Sequence, residues 1–106
     1  DAPSGTALMM AQAIAEARGQ NITNAAIYGR KGAAKRQRGD IGIHALRGGE
    51  IVGEHTVEFM MDGEIIQITH KAQNRATFAT GALRAALWAA QQPAGLYDMQ
   101  DVLELK

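Results

Sequence analysis

Asp1-Ala2-Pro3-Ser4-Gly5-Thr6-Ala7 sets two hydroxyls and a glycine at the head of an apolar run with helical spacing. Ala7, Leu8, Ala11, Ile14 and Ala15 form the stripe. Pro3 favours extended geometry at Ala2, and Ser4 suits the N-cap. The first-turn amides of Gly5, Thr6 and Ala7 then lack a carbonyl partner inside the helix. Together with the positive end of the helix dipole they make a site for a carboxylate or phosphate. Gly5 permits close approach to the backbone, and the Ser4 and Thr6 hydroxyls add adjustable donors. An ordinary cap that binds only water has the same pattern, so the spacing supplies a candidate anion site without naming an anion.

Histidines are the second group capable of chemistry. Asp62-Gly63 is a hairpin signal for a type I′ turn, which needs positive φ at both central residues. That turn sets His55 opposite His70. A second turn at Gly48-Gly49 would set His44 opposite Gly53, on the same face. Three imidazoles on one face fit either a zinc site or a polar end to an apolar face with each ring hydrogen-bonded. The second reading is preferred because no carboxylate is placed to orient the rings. Gly29–Gly39 holds Arg30, Lys31, Lys35, Arg36 and Arg38, five of the eleven basic residues. No aromatic interleaves them as a stacking platform, so a solvated loop is preferred to a nucleic-acid contact.

These groups need a scaffold of α+β type. One helix is expected from about Gly5 to Arg18, stopped by Gly19. A polar connector, Asn21–Asn24, leads to a short strand, Ala25–Tyr28. A three-strand meander follows over Ile41–Arg47, Ile51–Met60 and Glu64–Lys71. One sheet face carries Ile51, Val57, Phe59, Ile66 and Ile68 beside the histidines. The other carries Ile43, Val52, Glu54, Thr56, Glu58, Ile65, Gln67 and Thr69, a mixture suited to a subunit interface or a wet surface. A second helix is expected from an Asn74 cap to Gln91-Gln92, ahead of Pro93, with Phe78, Ala82, Ala85, Ala86 and Ala89 on one face, Leu83, Leu87 and Trp88 widening it, and Gly81 allowing close packing against another backbone. The tail, from Gly95 through Leu105, is apolar enough to need a partner. The expected architecture is an antiparallel or mixed sheet packed against the N-terminal helix, plus a C-terminal helix and tail. Residues 1–73 form the first part and 74–106 the second.

Composition narrows the function. The chain has 106 residues, room for a single domain at most, and is 46% apolar, hence globular. Eleven basic residues balance eleven acidic ones, which gives no general reason to expect nucleic acid or an anionic membrane. Without cysteine there is no disulfide, thiolate metal site or thiol nucleophile. No apolar run reaches the roughly 18 residues of a membrane span, and no leader pattern is read. The chain opens inside a motif, so upstream residues are expected. No G-x-G-x-x-G turn, P-loop, paired catalytic carboxylates or Ser/His/Asp order stands out.

The opening heptad resembles the signature of bacterial dihydrodipicolinate reductases. Further matches run in family order: Ile41-Gly42, Val52-Gly53-Glu54-His55-Thr56, Ile68-Thr69-His70-Lys71-Ala72, Phe78-Ala79-Thr80-Gly81-Ala82, Gly95-Leu96-Tyr97-Asp98-Met99 and Asp101-Val102-Leu103. The resemblance implies the C-terminal part of a cytoplasmic enzyme of lysine and diaminopimelate biosynthesis. Such an enzyme transfers hydride from NADH or NADPH to the cyclic dicarboxylate 4-hydroxy-tetrahydrodipicolinate. It implies that Gly5 and Thr6, with Ser4 alongside, bind a substrate carboxylate, and that Arg75 and Phe78 approach the nicotinamide. It also implies a homotetramer associating through its sheets. The family's histidine-rich catalytic stretch and its nucleotide domain are absent from these residues, and His44, His55 and His70 do not replace them. No catalytic residue and no metal ligand is therefore assigned, and the segment alone is expected to be inactive.

Overall fold

The computed structural model describes residues 2–106; Asp1, the first residue of the opening motif, lies outside them. The fold mixes helices, a parallel strand pair and a two-stranded hairpin, so the α+β expectation holds. It divides into two compact units, one running to Lys71 and one over Ala72–Lys106.

In the first unit, helix α1 spans Gly5–Ala17 with Ser4 as N-cap and Arg18 as C-cap. It stops where the glycine stands: the Gly19 amide donates to the Glu16 carbonyl and the Gln20 amide to the Ala15 carbonyl, closing the last turn. Ala11 and Ala15 are buried on its inner face, while Leu8, expected in the same stripe, is 40% exposed. The expected polar connector is instead a one-turn helix, α2, Ile22–Ala25. Asn21 nucleates it by accepting the Thr23 amide on its side-chain oxygen at 2.9 Å.

The expected three-strand meander does not form. Strand β1 (Ala26–Tyr28) pairs in parallel with β2 (Ile41–Ile43), with Ala26 opposite Ile41 and Tyr28 opposite Ile43. The basic segment between them is the crossover that a parallel pair requires. Past Ile43 the chain leaves the sheet, and Leu46 is 97% exposed. The turn there falls at Gly49-Glu50 and does not join paired strands. Strands β3 (Gly53–Met61) and β4 (Glu64–Ala72) form a separate hairpin.

The hairpin keeps the expected register. Thr56 Oγ1 meets Thr69 Oγ1 at 3.0 Å, Gln67 donates to the Glu58 carboxylate, and Lys71 Nζ lies 2.9 Å from Glu54 Oε1. Each pair matches a two-residue turn at Asp62-Gly63. The turn is not type I′, however: Gly63 has φ +84°, and Asp62 stays at negative φ. Helix α1 lies against β2 and β3. This leaves His55 and Val57 half-buried and all of β4 before Ala72 exposed.

The second unit is built on helix α3, Ala76–Ala89. Its formal cap is Arg75, one residue later than expected, yet the Asn74 side chain still accepts the Ala76 amide at 3.0 Å. Gly81, Ala85 and Trp88 are its half-buried residues, whereas Phe78, Ala82, Ala86 and Ala89 of the expected face are exposed. Trp88 meets Tyr97 edge to face at 5.2 Å, and the Tyr97 hydroxyl donates to the Pro93 carbonyl at 2.9 Å. Part of the apolar tail finds its partner here: helix α4 (Met99–Val102) packs with α3 and buries Val102. Asp98 and Asp101 close a reciprocal capping box at its start, a pattern legible as D-x-x-D before an apolar pair.

Lys106 clasps that box, with Nζ 3.0 Å from Asp98 Oδ2 and 3.0 Å from Asp101 Oδ1. The hydrogen bond from Lys106 leads the causes that hold the Asp98 carboxyl below its ordinary value, helped by the Gln100 and Asp101 amides. The same bond leads the causes that raise the Lys106 ammonium. A depressed carboxyl contributes stability above its unfolded value of about 3.9, lost as pH falls through the folded one. A raised ammonium contributes below about 10.4, lost as pH rises through its folded value. The clasp is therefore complete between about pH 4 and pH 10. Replacing Lys106→Met is expected to raise the Asp98 carboxyl towards its ordinary value, as read by NMR titration of the side-chain carboxyl carbons. An unmoved Asp98 would mean that the lysine is not what holds it down.

Candidate functional site

Ser4 sits in extended geometry, φ −72° and ψ 158°, after a cis Ala2–Pro3 peptide bond. Its carbonyl accepts the Leu8 amide at 3.1 Å, the first helical hydrogen bond. Its Oγ accepts the Ala7 amide at 3.2 Å. One of the three first-turn donors is thus already used, which corrects the expectation that Ala7 is free for a ligand. Among the described residues, the amides of Gly5 and Thr6 meet no acceptor. Both residues are exposed, and Ser4 is half-buried. The Ser4 hydroxyl keeps its proton to donate, since it takes part in the cap as an acceptor.

Gly5 begins the helix at negative φ, so its backbone does not require glycine. A Cβ built there would meet nothing within 4 Å. Among the described residues, neither conformation nor packing explains the missing side chain. Two adjacent amides at the positive end of a 13-residue helix, with a hydroxyl on each side, suit an oxygen pair of one negative charge. A groove of about 530 Å³ runs along another side of α1, lined by Leu8, Met9, Ile22 and Tyr28, and none of Ser4, Gly5 and Thr6 borders it.

Arg75 and Phe78 stand together at the start of α3, where the Arg75 carbonyl accepts the Phe78 amide at 3.1 Å. Both are exposed, Phe78 by 52%. They belong to the second unit and Ser4, Gly5 and Thr6 to the first, so each group is defined within its own unit.

The histidines do not gather as the meander predicted. The hairpin register keeps His55 opposite His70, but His44 lies outside the hairpin, with its ring against Gly42. Among the described residues, no three groups of metal-ligating type stand close enough to share an ion. The reason is topological. β2 pairs with β1 and not with β3, so the diagonal relation between His44 and His55 never arises.

The family described as dihydrodipicolinate reductase, C-terminus, matches residues 1–103. The chain is 63% identical over 106 residues to the 4-hydroxy-tetrahydrodipicolinate reductase of Psychrobacter arcticus, covering 99% of this chain and 38% of that protein. It is 57% identical over 106 residues to the protein of that name from Pseudomonas fluorescens SBW25, covering 99% of this chain and 40% of the relative. The protein of that name from Rubrobacter xylanophilus is 57% identical over 103 residues, with 97% and 40% covered. The chain therefore spans about two fifths of the length of these relatives. With the match running through both units, the chain belongs to the dihydrodipicolinate reductase family and corresponds to its C-terminal part.

Proposed function

We propose that this chain is the carboxylate-gripping part of a reductase that acts on 4-hydroxy-tetrahydrodipicolinate in cytoplasmic lysine and diaminopimelate biosynthesis. The observation that carries the reading is the pair of amides at Gly5 and Thr6 that meet no acceptor among the described residues, at a glycine whose absent side chain nothing among those residues explains. A carboxylate fits there by accepting from both amides, with the Thr6 and Ser4 hydroxyls completing its donors. The grip orients a cyclic dicarboxylate by one end and leaves the ring free for reaction.

NADH or NADPH, when bound, supplies the hydride. The chain has no Gly-rich phosphate turn, so these residues do not hold a dinucleotide by themselves. Arg75 and Phe78, a guanidinium and an aromatic face at one helix start, fit a supporting role at the nicotinamide end. They would orient the ring and screen it from water. Binding without turnover is the activity proposed for the 106 residues alone, since the resemblance places the family's catalytic stretch outside them. Self-association, as a homotetramer, belongs to the same reading. The hairpin supports it, because Phe59, Ile65, Ile66 and Ile68 are between 37% and 64% exposed.

The Gly5→Ala substitution separates ligand from fold. Alanine is the better helix former and its Cβ has open space, so thermal stability is expected to hold or rise. Calorimetric affinity for pyridine-2,6-dicarboxylate is expected to fall by about tenfold, or ~1.4 kcal/mol. Equal binding by both proteins would remove the carboxylate from this helix. Ser4→Ala acts on the cap and is expected to cost about 1 kcal/mol in urea unfolding. In a spectrophotometric assay the chain is expected to oxidise neither NADH nor NADPH with substrate present, and turnover by these residues would overturn the division of labour.

A further inference from the structure

One of the chain's five aspartates stands before a glycine. Asp62-Gly63 is the turn at the tip of the β3–β4 hairpin, and both residues are exposed. Gly63 holds φ +84°, and a Cβ built on it would meet nothing within 4 Å, so the space beside it is open. Among the described residues, the Gly63 amide meets no acceptor and the Asp62 carboxylate meets no cation. The other aspartates described are held in place and precede bulkier residues. Asp40 accepts the Gln37 amide at 2.8 Å, lies 3.9 Å from Arg30 and precedes Ile41. Asp98 and Asp101 are tied to each other in the capping box, each takes Lys106 Nζ at 3.0 Å, and they precede Met99 and Val102. Asn21 and Asn74 accept the Thr23 and Ala76 amides and precede Ile22 and Arg75.

We infer that Asp62-Gly63 is a site of spontaneous backbone isomerisation, in which aspartate becomes isoaspartate through a cyclic imide. The Gly63 nitrogen attacks the carboxyl carbon of the Asp62 side chain. A C–N bond forms there, and the carboxyl hydroxyl leaves with the amide proton as water. The imide then takes water back at either carbonyl. Opening at the side-chain carbonyl restores aspartate. Opening at the main-chain carbonyl leaves the backbone running through the Asp62 Cβ and Cγ atoms. One water is lost and one regained, nothing is oxidised or reduced, and water is the only co-reactant. Glycine suits the step because it has no side chain for ring closure to push aside, and a hairpin tip has room to move. The product adds one carbon to the main chain inside a two-residue turn. The pairs Thr56 with Thr69, Glu58 with Gln67 and Glu54 with Lys71 depend on the length of that turn, so the isomer loosens the hairpin from its tip.

The test incubates the folded chain for weeks at neutral pH in water labelled in its oxygen. Digestion and mass spectrometry with electron-transfer fragmentation then locate the label and separate the two isomers. Labelled oxygen and isoaspartate are expected to accumulate at Asp62 and not at Asp40, Asp98 or Asp101. Gly63→Asn keeps a residue that tolerates positive φ but sets a side chain beside the attacking nitrogen, and is expected to slow labelling by about tenfold or more. Asp62→Asn loses ammonia in place of water and is expected to react faster, reaching the same two products. In the isomerised fraction, amide hydrogen exchange is expected to quicken along β3 and β4. Affinity for pyridine-2,6-dicarboxylate is expected to stay unchanged throughout, because the turn takes no part in the grip of Ser4, Gly5 and Thr6. Label at Asp62 in urea-denatured protein alone would show that the fold shields the turn and would overturn the proposal. Equal label at Asp40 or Asp98 would overturn the selectivity, and unchanged exchange in the isomerised fraction would overturn the loosening of the hairpin.

Discussion

Two alanines determine how the first unit holds the start of α1. Ala11 and Ala15 are buried to 4% and 0% exposure on the inner side of α1, and their small volume lets the helix come close to β2 and β3. Close packing is stiff, and a larger side chain at either place would push the helix off the strands. The first turn of α1 is therefore held by the body of the same helix. Ser4 adds the local half of the arrangement by taking the Ala7 amide and leaving those of Gly5 and Thr6 open.

The core that supports this is thin. Among the described residues, the buried apolar side chains are four alanines, Ile43 and Val102. Apolar side chains instead remain on the surface in number, from Met9 at 75% exposure to Leu96 at 100%. Larger chains bury a greater share of their apolar surface, and these 106 residues span two fifths of the relatives they match. The hairpin shows the same economy of cover. Glu54, Thr56 and Glu58 and their β4 partners carry cross-strand polar pairs, while the opposite face carries Phe59, Ile66 and Ile68 with partial cover at most.

Much of this was legible from local chemistry. Helix α1 begins after Ser4 and ends before Gly19, because an extended cap residue and a glycine just past the last turn are strong signals read within a few residues. The hairpin register followed from a two-residue turn, since side-chain alternation leaves only one pairing that joins Thr56 to Thr69. The capping box of α4 is equally local, written in the three-residue spacing of Asp98 and Asp101.

The amino-acid sequence by itself determined the caps, the hairpin and the identity of the residues at the helix mouth, because each depends on neighbours a few positions apart. Tertiary structure alone decided that β2 pairs in parallel with β1 across the basic loop, that His44 stands apart from His55 and His70, and that Phe78, Ala82, Ala86 and Ala89 of α3 stay exposed. A three-residue strand carries too little pattern to choose a partner. That choice is made by what packs against it, here α1 over Ile43, and such contacts are not written in the spacing of any one segment.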